Sequence, residues 1–455
     1  MVQLASTHDI IVNPIRSSLG YLGYLSFCYA RDIKLLKGHI MTFLQITSLL
    51  IVLAGAFGAI NYFFLRLPSS IGILVVALLA SLAMMGIDQI WPSVGIADNI
   101  RGVVEGIEFS GALLEGMLGL LLFAGALHVK IEDLRKQAWT VALMATLGIA
   151  ISTAIAGFGF AWLVGAPILV ALVFGALISP TDPVAVLGVL REANLRKSLE
   201  TQIAGESLFN DGVGYVVFLL LVGLAWPHGD AHAEGLMGAV RLFGQEALGG
   251  AALGAFLGWM TFQVMKRIDD YPLEVLLTLG LAFGGYELAV YLHVSGPIMA
   301  VVAGLFIGDI GTKHGMSRQT REYVNAFWEL IDEILNAVLF LLIGVEVFAI
   351  AFNADAIWAG IGGIGLSLVA RLAAVTVPVL LLSRWRKFGR DVIPIMTWGG
   401  LKGGISVALA LSLPESEWKP VILTTTYIVV LFSIIVQGLT IAPLAKRLNR
   451  EQDLL

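Results

Sequence analysis

Charge and cysteine are what this sequence has least of. Only 13% of its 455 residues are charged, against about a quarter in soluble domains. A water-soluble globular fold is therefore excluded. The single cysteine, Cys28, rules out both a disulfide framework and a thiolate metal site. Histidine is scarce as well, and the seven present fall in the N-terminal stretch, in loops or near the ends of apolar runs. None is placed to pair with a serine in mid-run, and no His-Glu-x-x-His zinc motif occurs, so hydrolytic and zinc chemistry lack their parts. Nothing points to an enzyme, to a cofactor or to a nucleic-acid partner.

What the chain does have is apolar sequence, 58% of the total, in blocks of about 20 residues that can each cross roughly 30 Å of hydrocarbon. The pattern predicts an all-α polytopic membrane protein of about thirteen transmembrane helices. They are expected at 43–65, 67–87, 106–128, 138–163, 167–190, 200–224, 243–265, 272–292, 295–309, 325–350, 356–382, 392–412 and 420–441.

The loops test that count. Alternate connections, near 66, 130–136, 191–197, 266–267, 313–321, 384–390 and 446–450, carry nineteen Lys and Arg. The opposite ones carry only Arg101, Arg241 and Lys419. Such a split is the positive-inside signature. It predicts a cytoplasmic C-terminus and an extracytoplasmic start for the first segment. Arg16, Arg31, Lys34 and Lys37 would then lie on the wrong side. Residues 1–40 also make a poor signal peptide. They are expected to be an extension upstream of a true start at Met41, with a surface amphipathic tail as the other reading.

Ionisable residues inside membrane segments are costly and point to function. The fifth segment contains Ser179-Pro180-Thr181-Asp182-Pro183 in its middle. Each proline removes a backbone donor and clashes with the preceding turn, so the helix should break there. A break at that depth must face protein or water. Freed carbonyls, the Thr181 hydroxyl and the Asp182 carboxylate would offer oxygen ligands to a hard cation. A plain proline kink with a capping aspartate is the alternative.

The sixth segment places Glu206, Ser207, Asn210 and Asp211 along one stripe, which cannot face lipid. A buried polar network that only holds helices together would fit Glu206 and Asn210 better than Asp211. In the twelfth segment, Gly399, Gly400, Gly403 and Gly404 surround Lys402 and predict a second interruption. The two broken segments run in opposite directions, the pointer to an inverted-repeat transporter with its site at the midplane. Lys402 would offset half-helix C-termini and Asp182 the N-termini. Arg371, mid-way along the eleventh segment, needs a carboxylate, and Glu206 is the expected partner.

Asp182, Glu206 and Asp211 against Arg371 and Lys402 leave one negative charge uncompensated. One monovalent cation or one proton would neutralise it, which is the arithmetic of a competitive exchanger. The exchangeable proton is assigned to Asp211, with Asp182, Thr181 and Ser207 as ligands for Na⁺ or Li⁺. The other membrane acids, Glu274, Glu287, Glu329, Asp332, Glu333 and Glu346, are expected at interfaces or access funnels.

At these residues the chain resembles the NhaP-type branch of the monovalent cation:proton antiporters, the cation:proton antiporter-1 family. The likeness rests on Thr181-Asp182-Pro183, Glu206-Ser207 with Asn210-Asp211, Arg371, and the glycines around Lys402. Phe327-Trp328-Glu329 and Leu342-Ile343-Gly344-Val345-Glu346 also match. It covers about residues 41 to 448.

The resemblance implies an NhaA-like antiporter fold with two discontinuous crossing helices, in a homodimer in the cell (inner) membrane. It implies a mobile core of about 138–224 and 356–441 that moves like an elevator against a dimerisation scaffold of about 43–128 and 243–350. Thr181, Asp182, Ser207 and Asp211 would line the cation site, supported by Glu206, Asn210 and Arg371. The Asn210-Asp211 pair goes with electroneutral exchange. Lys402 stands where relatives often have Arg. Only a short cytoplasmic tail, 449–455, follows. The same machine working on K⁺, an intramembrane hydrolase and a passive channel are the competing readings.

Overall fold

Apolar blocks of this length have one way to satisfy their backbone in hydrocarbon, and the chain takes it: every described element is helical. The computed structural model describes residues 43–90, 117–182, 195–226, 235–312, 315–350 and 354–448. The extension 1–40, the start of the third segment at 106–116, Pro183 with the rest of the fifth segment, and the tail 449–455 lie outside the described residues. Leu49–Leu455 make one compact unit, and the architecture that follows is that unit's.

In chain order the helices are α1 (Leu44–Leu65), α2 (Ser69–Ile90), α3 (Leu118–Leu127), α4 (Ile131–Val164) and α5 (Ile168–Ile178). Then come α6 (Lys197–Ala225), α7 (Gly235–Met265), α8 (Tyr271–Tyr291), α9 (Gly296–Gly311) and α10 (Arg318–Val345). Last are α11 (Ala354–Leu382), α12 (Val392–Trp398), α13 (Gly404–Leu411) and α14 (Lys419–Leu448). Eight of these helices are long and apolar enough to cross a membrane.

Three helices begin about seven residues earlier than their apolar cores suggest: α4 at Ile131, α7 at Gly235 and α10 at Arg318. The first turns of α4 and α10 are built for an aqueous boundary, which a hydropathy reading passes over. Glu132 and Asp133 open α4, where acidic groups suit the positive helix end. The Ser317 hydroxyl caps α10 by accepting the Thr320 N–H at 3.3 Å. At the other end of α4, Gly165 adopts a left-handed φ of 72° and closes the helix before Pro167.

Packing falls into three apolar clusters. One joins α2 and the end of α10 to α12, α13 and α14. A second holds α3, α8, α9 and the first half of α10. The third holds α4, α5, parts of α11 and the α13–α14 connection. Small residues set the spacing: a Cβ on Gly175 of α5 would run into the Thr153 carbonyl of α4, so the two backbones nearly touch. That contact fixes the end of α5, where the site begins.

Candidate functional site

A helix end and a helix interruption meet inside the unit. The helix of α5 stops at Ile178, and residues 179–182 continue without helical structure. The twelfth segment is two helices, α12 and α13, separated by residues 399–403. The Asp182 N–H donates to the Leu401 carbonyl at 2.8 Å. Backbone groups that each helix leaves open are thus closed by the other break.

Lys402 makes the second tie. Its ammonium donates to the carbonyls of Ser179 at 3.0 Å and Pro180 at 3.2 Å, the orphan acceptors at the negative end of α5. It is 2% exposed. Lys402 therefore takes up two of the freed carbonyls, in the place against a half-helix C-terminus that its charge predicts. Asp182 lies against Gly403, the residue before α13, where an added Cβ would collide with its carboxylate. Glycine there lets an acid approach the positive end of α13.

Helix α6 brings its polar stripe to the same place, with Glu206, Ser207, Asn210 and Asp211 all buried. The Thr181 and Ser207 hydroxyls are 3.0 Å apart. Asn210 clamps Thr181 from both sides, its Nδ2 donating to the hydroxyl at 2.9 Å and its Oδ1 accepting the Thr181 N–H at 3.4 Å. Asp211 is 5% exposed, and the charged groups acting on it are Asp182 and Lys402.

Arg371 of α11 reaches Glu206 through a two-pronged, buried pair, with Nη2 donating to Oε2 at 2.8 Å and Nη1 to Oε1. Two further donors go to the Met396 carbonyl of α12, at 3.2 Å from Nε and 3.0 Å from Nη2. Four of the five guanidinium N–H donors are thereby engaged in structure. A Cβ on Gly400 would strike it, so the glycine run is needed for close approach as well as for unwinding.

Two residues of the site were not singled out in the sequence. Ser433 accepts the Lys402 backbone N–H at 2.8 Å, and Gln437 donates to the Trp398 carbonyl at 3.0 Å. They bound a π-helical turn of α14, Ser433–Gln437, a distortion that often marks functional sites. Their spacing carries no signal that distinguishes them from ordinary buried polar residues.

The other membrane acids divide. Glu287, Glu329 and Glu333 are exposed. Glu274, in the first turn of α8, and Glu346, just past the end of α10, are buried at 0% and 2% exposed. Position along a helix does not reveal which side packs inward. Trp328 of the Phe-Trp-Glu motif is buried, with its indole N–H on the Thr278 hydroxyl at 2.9 Å.

Comparisons with known proteins agree with this architecture. The sequence model of the sodium/hydrogen exchanger transmembrane family matches residues 33–447. The chain is 46% identical over 423 residues to the Na(+)/H(+) antiporter NhaP of Pseudomonas aeruginosa, covering 90% of this chain and 98% of that one. It is 37% identical over 388 residues to the Na(+)/H(+) antiporter NhaH of Halobacillus dabanensis, covering 85% and 93%. The structure of the sodium proton antiporter MjNhaP1 from Methanocaldococcus jannaschii superposes with a TM-score of 0.70 at 20% identity, over 89% of this chain and 98% of that one. That likeness is one of fold. With the family match and the identities together, the chain belongs to the sodium/hydrogen exchanger family, in its NhaP-type branch of monovalent cation:proton antiporters.

Proposed function

We propose that this protein exchanges Na⁺ (or Li⁺) for H⁺ across the cell (inner) membrane, one for one and without net charge movement. The observation that carries the reading is the charge set at the meeting of the two breaks. Asp182 and Asp211 lie with Lys402 there, while Arg371 and Glu206 neutralise each other. One negative charge is left over for a proton or a monovalent cation. Asp211 takes the proton, and Asp182, Thr181 and Ser207 supply oxygens to the cation. Proton and cation compete for one site, and only the neutralised site crosses.

The named relatives, described as Na(+)/H(+) antiporters, favour Na⁺ as the cargo. In this reading the chain crosses the membrane thirteen times as inverted repeats, with the broken α5 and α12–α13 crossing at mid-membrane and the C-terminus in the cytoplasm. The core, 138–224 and 356–441, slides against the scaffold, 43–128 and 243–350, in a homodimer.

Reconstituted protein in liposomes carrying a pH-sensitive dye tests the proposal. Na⁺ or Li⁺ should dissipate a pre-set proton gradient, with no dependence on membrane potential. A response to K⁺ alone, or a voltage-dependent rate, would overturn the cargo or the stoichiometry.

A further inference from the structure

A second buried acid stands apart from the cation site. Glu346 is the first residue past α10 and opens the 3-10 turn Glu346–Ala349. It is 2% exposed, and its Oε2 has no hydrogen-bond partner among the described residues. Val347 and Phe348 follow it into the apolar cluster that also contains Leu74, Ala77 and Tyr427. A bare carboxylate here would face two penalties at once. Its charge would be unpaired in an apolar interior, and it would sit at the negative end of a helix.

Among the described residues no cation pairs with it. The turn packs on α2 and on the end of α10, and Tyr427 of α14 shares the apolar cluster that Val347 and Phe348 enter. The titratable group that α2 offers is Asp88, in its last turn. On α10 the nearest charged residue is Glu333, more than three turns back. Lys402, just before α13, is turned to the Ser179 and Pro180 carbonyls. Tyr427 itself donates to the Ile343 carbonyl at 2.9 Å, one turn before Glu346. The phenol thereby ties α14 to the end of α10.

We propose that Glu346 is a proton-binding site separate from the cation site, and that its proton keeps the end of α10 seated against α2 and α14. When the proton leaves, an unpaired charge appears at the helix end and the seat loosens. Helix α10 lies in the 243–350 scaffold and α14 in the 356–441 core of the exchange proposed above. On that reading, the tie between them restrains sliding while Glu346 is protonated and releases it as pH rises. The proton site itself does not depend on the antiport reading.

Infrared difference spectroscopy of the full chain in lipid, titrated from acid to alkaline pH without Na⁺, tests it directly. One protonated-carboxyl band should disappear in Glu346→Gln and persist in Asp211→Asn. In transport at saturating Na⁺, where competition at the cation site no longer sets the rate, Glu346→Gln is neutral at every pH and should show no alkaline rise in rate, while its acid-side rate matches the unsubstituted protein. Tyr427→Phe, which keeps the ring and removes the tie, should raise the acid-side rate. Identical infrared spectra for Glu346→Gln and the unsubstituted protein would overturn the proposal, even if both variants are folded and active. A band lost in Glu346→Gln with an unchanged pH profile would overturn the coupling to sliding. If the unsubstituted protein moves no Na⁺, the antiport reading fails, and the band still decides the proton site.

Discussion

The Lys402 ammonium lies 3.0 Å from the Ser179 carbonyl oxygen, so the charge carried by one helix interruption closes the open end of the other. The contact joins residues 223 positions apart in the chain. It holds the Thr181-Asp182 pair between α6 and α13. Replacing Lys402 by Met would leave two buried carbonyls without donors, at about 1–3 kcal/mol each. Thermal unfolding in detergent should show that loss, and transport should be abolished. Lys402→Arg should recover much of both, since a guanidinium can reach the same acceptors.

Removing one partner of the Arg371–Glu206 pair strands the other as a buried charge. Arg371→Ala should destabilise the protein by about 3–5 kcal/mol. Replacing both residues by apolar groups of similar volume should cost much less. A double-mutant cycle on thermal stability measures the difference, and equal costs for the single and double variants would argue against the pair as a closed structural unit.

Competition has its own signature. If one proton and one Na⁺ exclude each other at the Asp182/Asp211 site, the apparent KM for Na⁺ should rise about tenfold for each pH unit of acidification while the site is mostly protonated, by mass action. The sign follows because every bound proton must leave before Na⁺ enters. Initial rates over a pH series in proteoliposomes check it. A KM for Na⁺ that does not change with pH would remove the shared site.

Thr181 and Ser207 offer neutral oxygens, and losing one should weaken cation binding without ending exchange. Thr181→Ala should raise the KM for Na⁺ by about three- to thirtyfold, the equivalent of roughly 0.5–2 kcal/mol for a hydroxyl contact. Its kcat should change less. Asp211→Asn, in contrast, should abolish exchange outright.

Gly403→Ala is the smallest change that should disable the site. The added methyl would occupy the position of the Asp182 carboxylate. Transport should fall sharply while size-exclusion behaviour stays normal. Full activity in this variant would mean that Asp182 can move aside without cost, and that its place against α13 is not required.

Much of this was legible in order along the chain. Proline in the fifth segment and glycine in the twelfth mark where helices cannot continue, and breaks occur at both, from Ser179 and from Gly399. Arg371's need for a buried carboxylate followed from charge alone, since a lone guanidinium has no other remedy in hydrocarbon, and the expected partner, Glu206, is the one it meets. Early starts of α4 and α10 were missed because hydropathy weighs the apolar centre of a helix and discounts its polar first turn.

What the sequence by itself determined is local and electrostatic. It set which stretches are apolar enough to be membrane helices, where their backbones break, and which charges must find partners. What only the tertiary structure decided is allocation. The freed carbonyls of α5 went to Lys402, Thr181 was clamped by Asn210, and Ser433 and Gln437 were recruited from a π-helical turn. Glu346 was drawn into the interior by the same packing. The physical reason is that a residue type and its spacing fix what a group needs, whereas which neighbour meets that need depends on how separate helices approach, and that is set by side-chain packing across the whole fold.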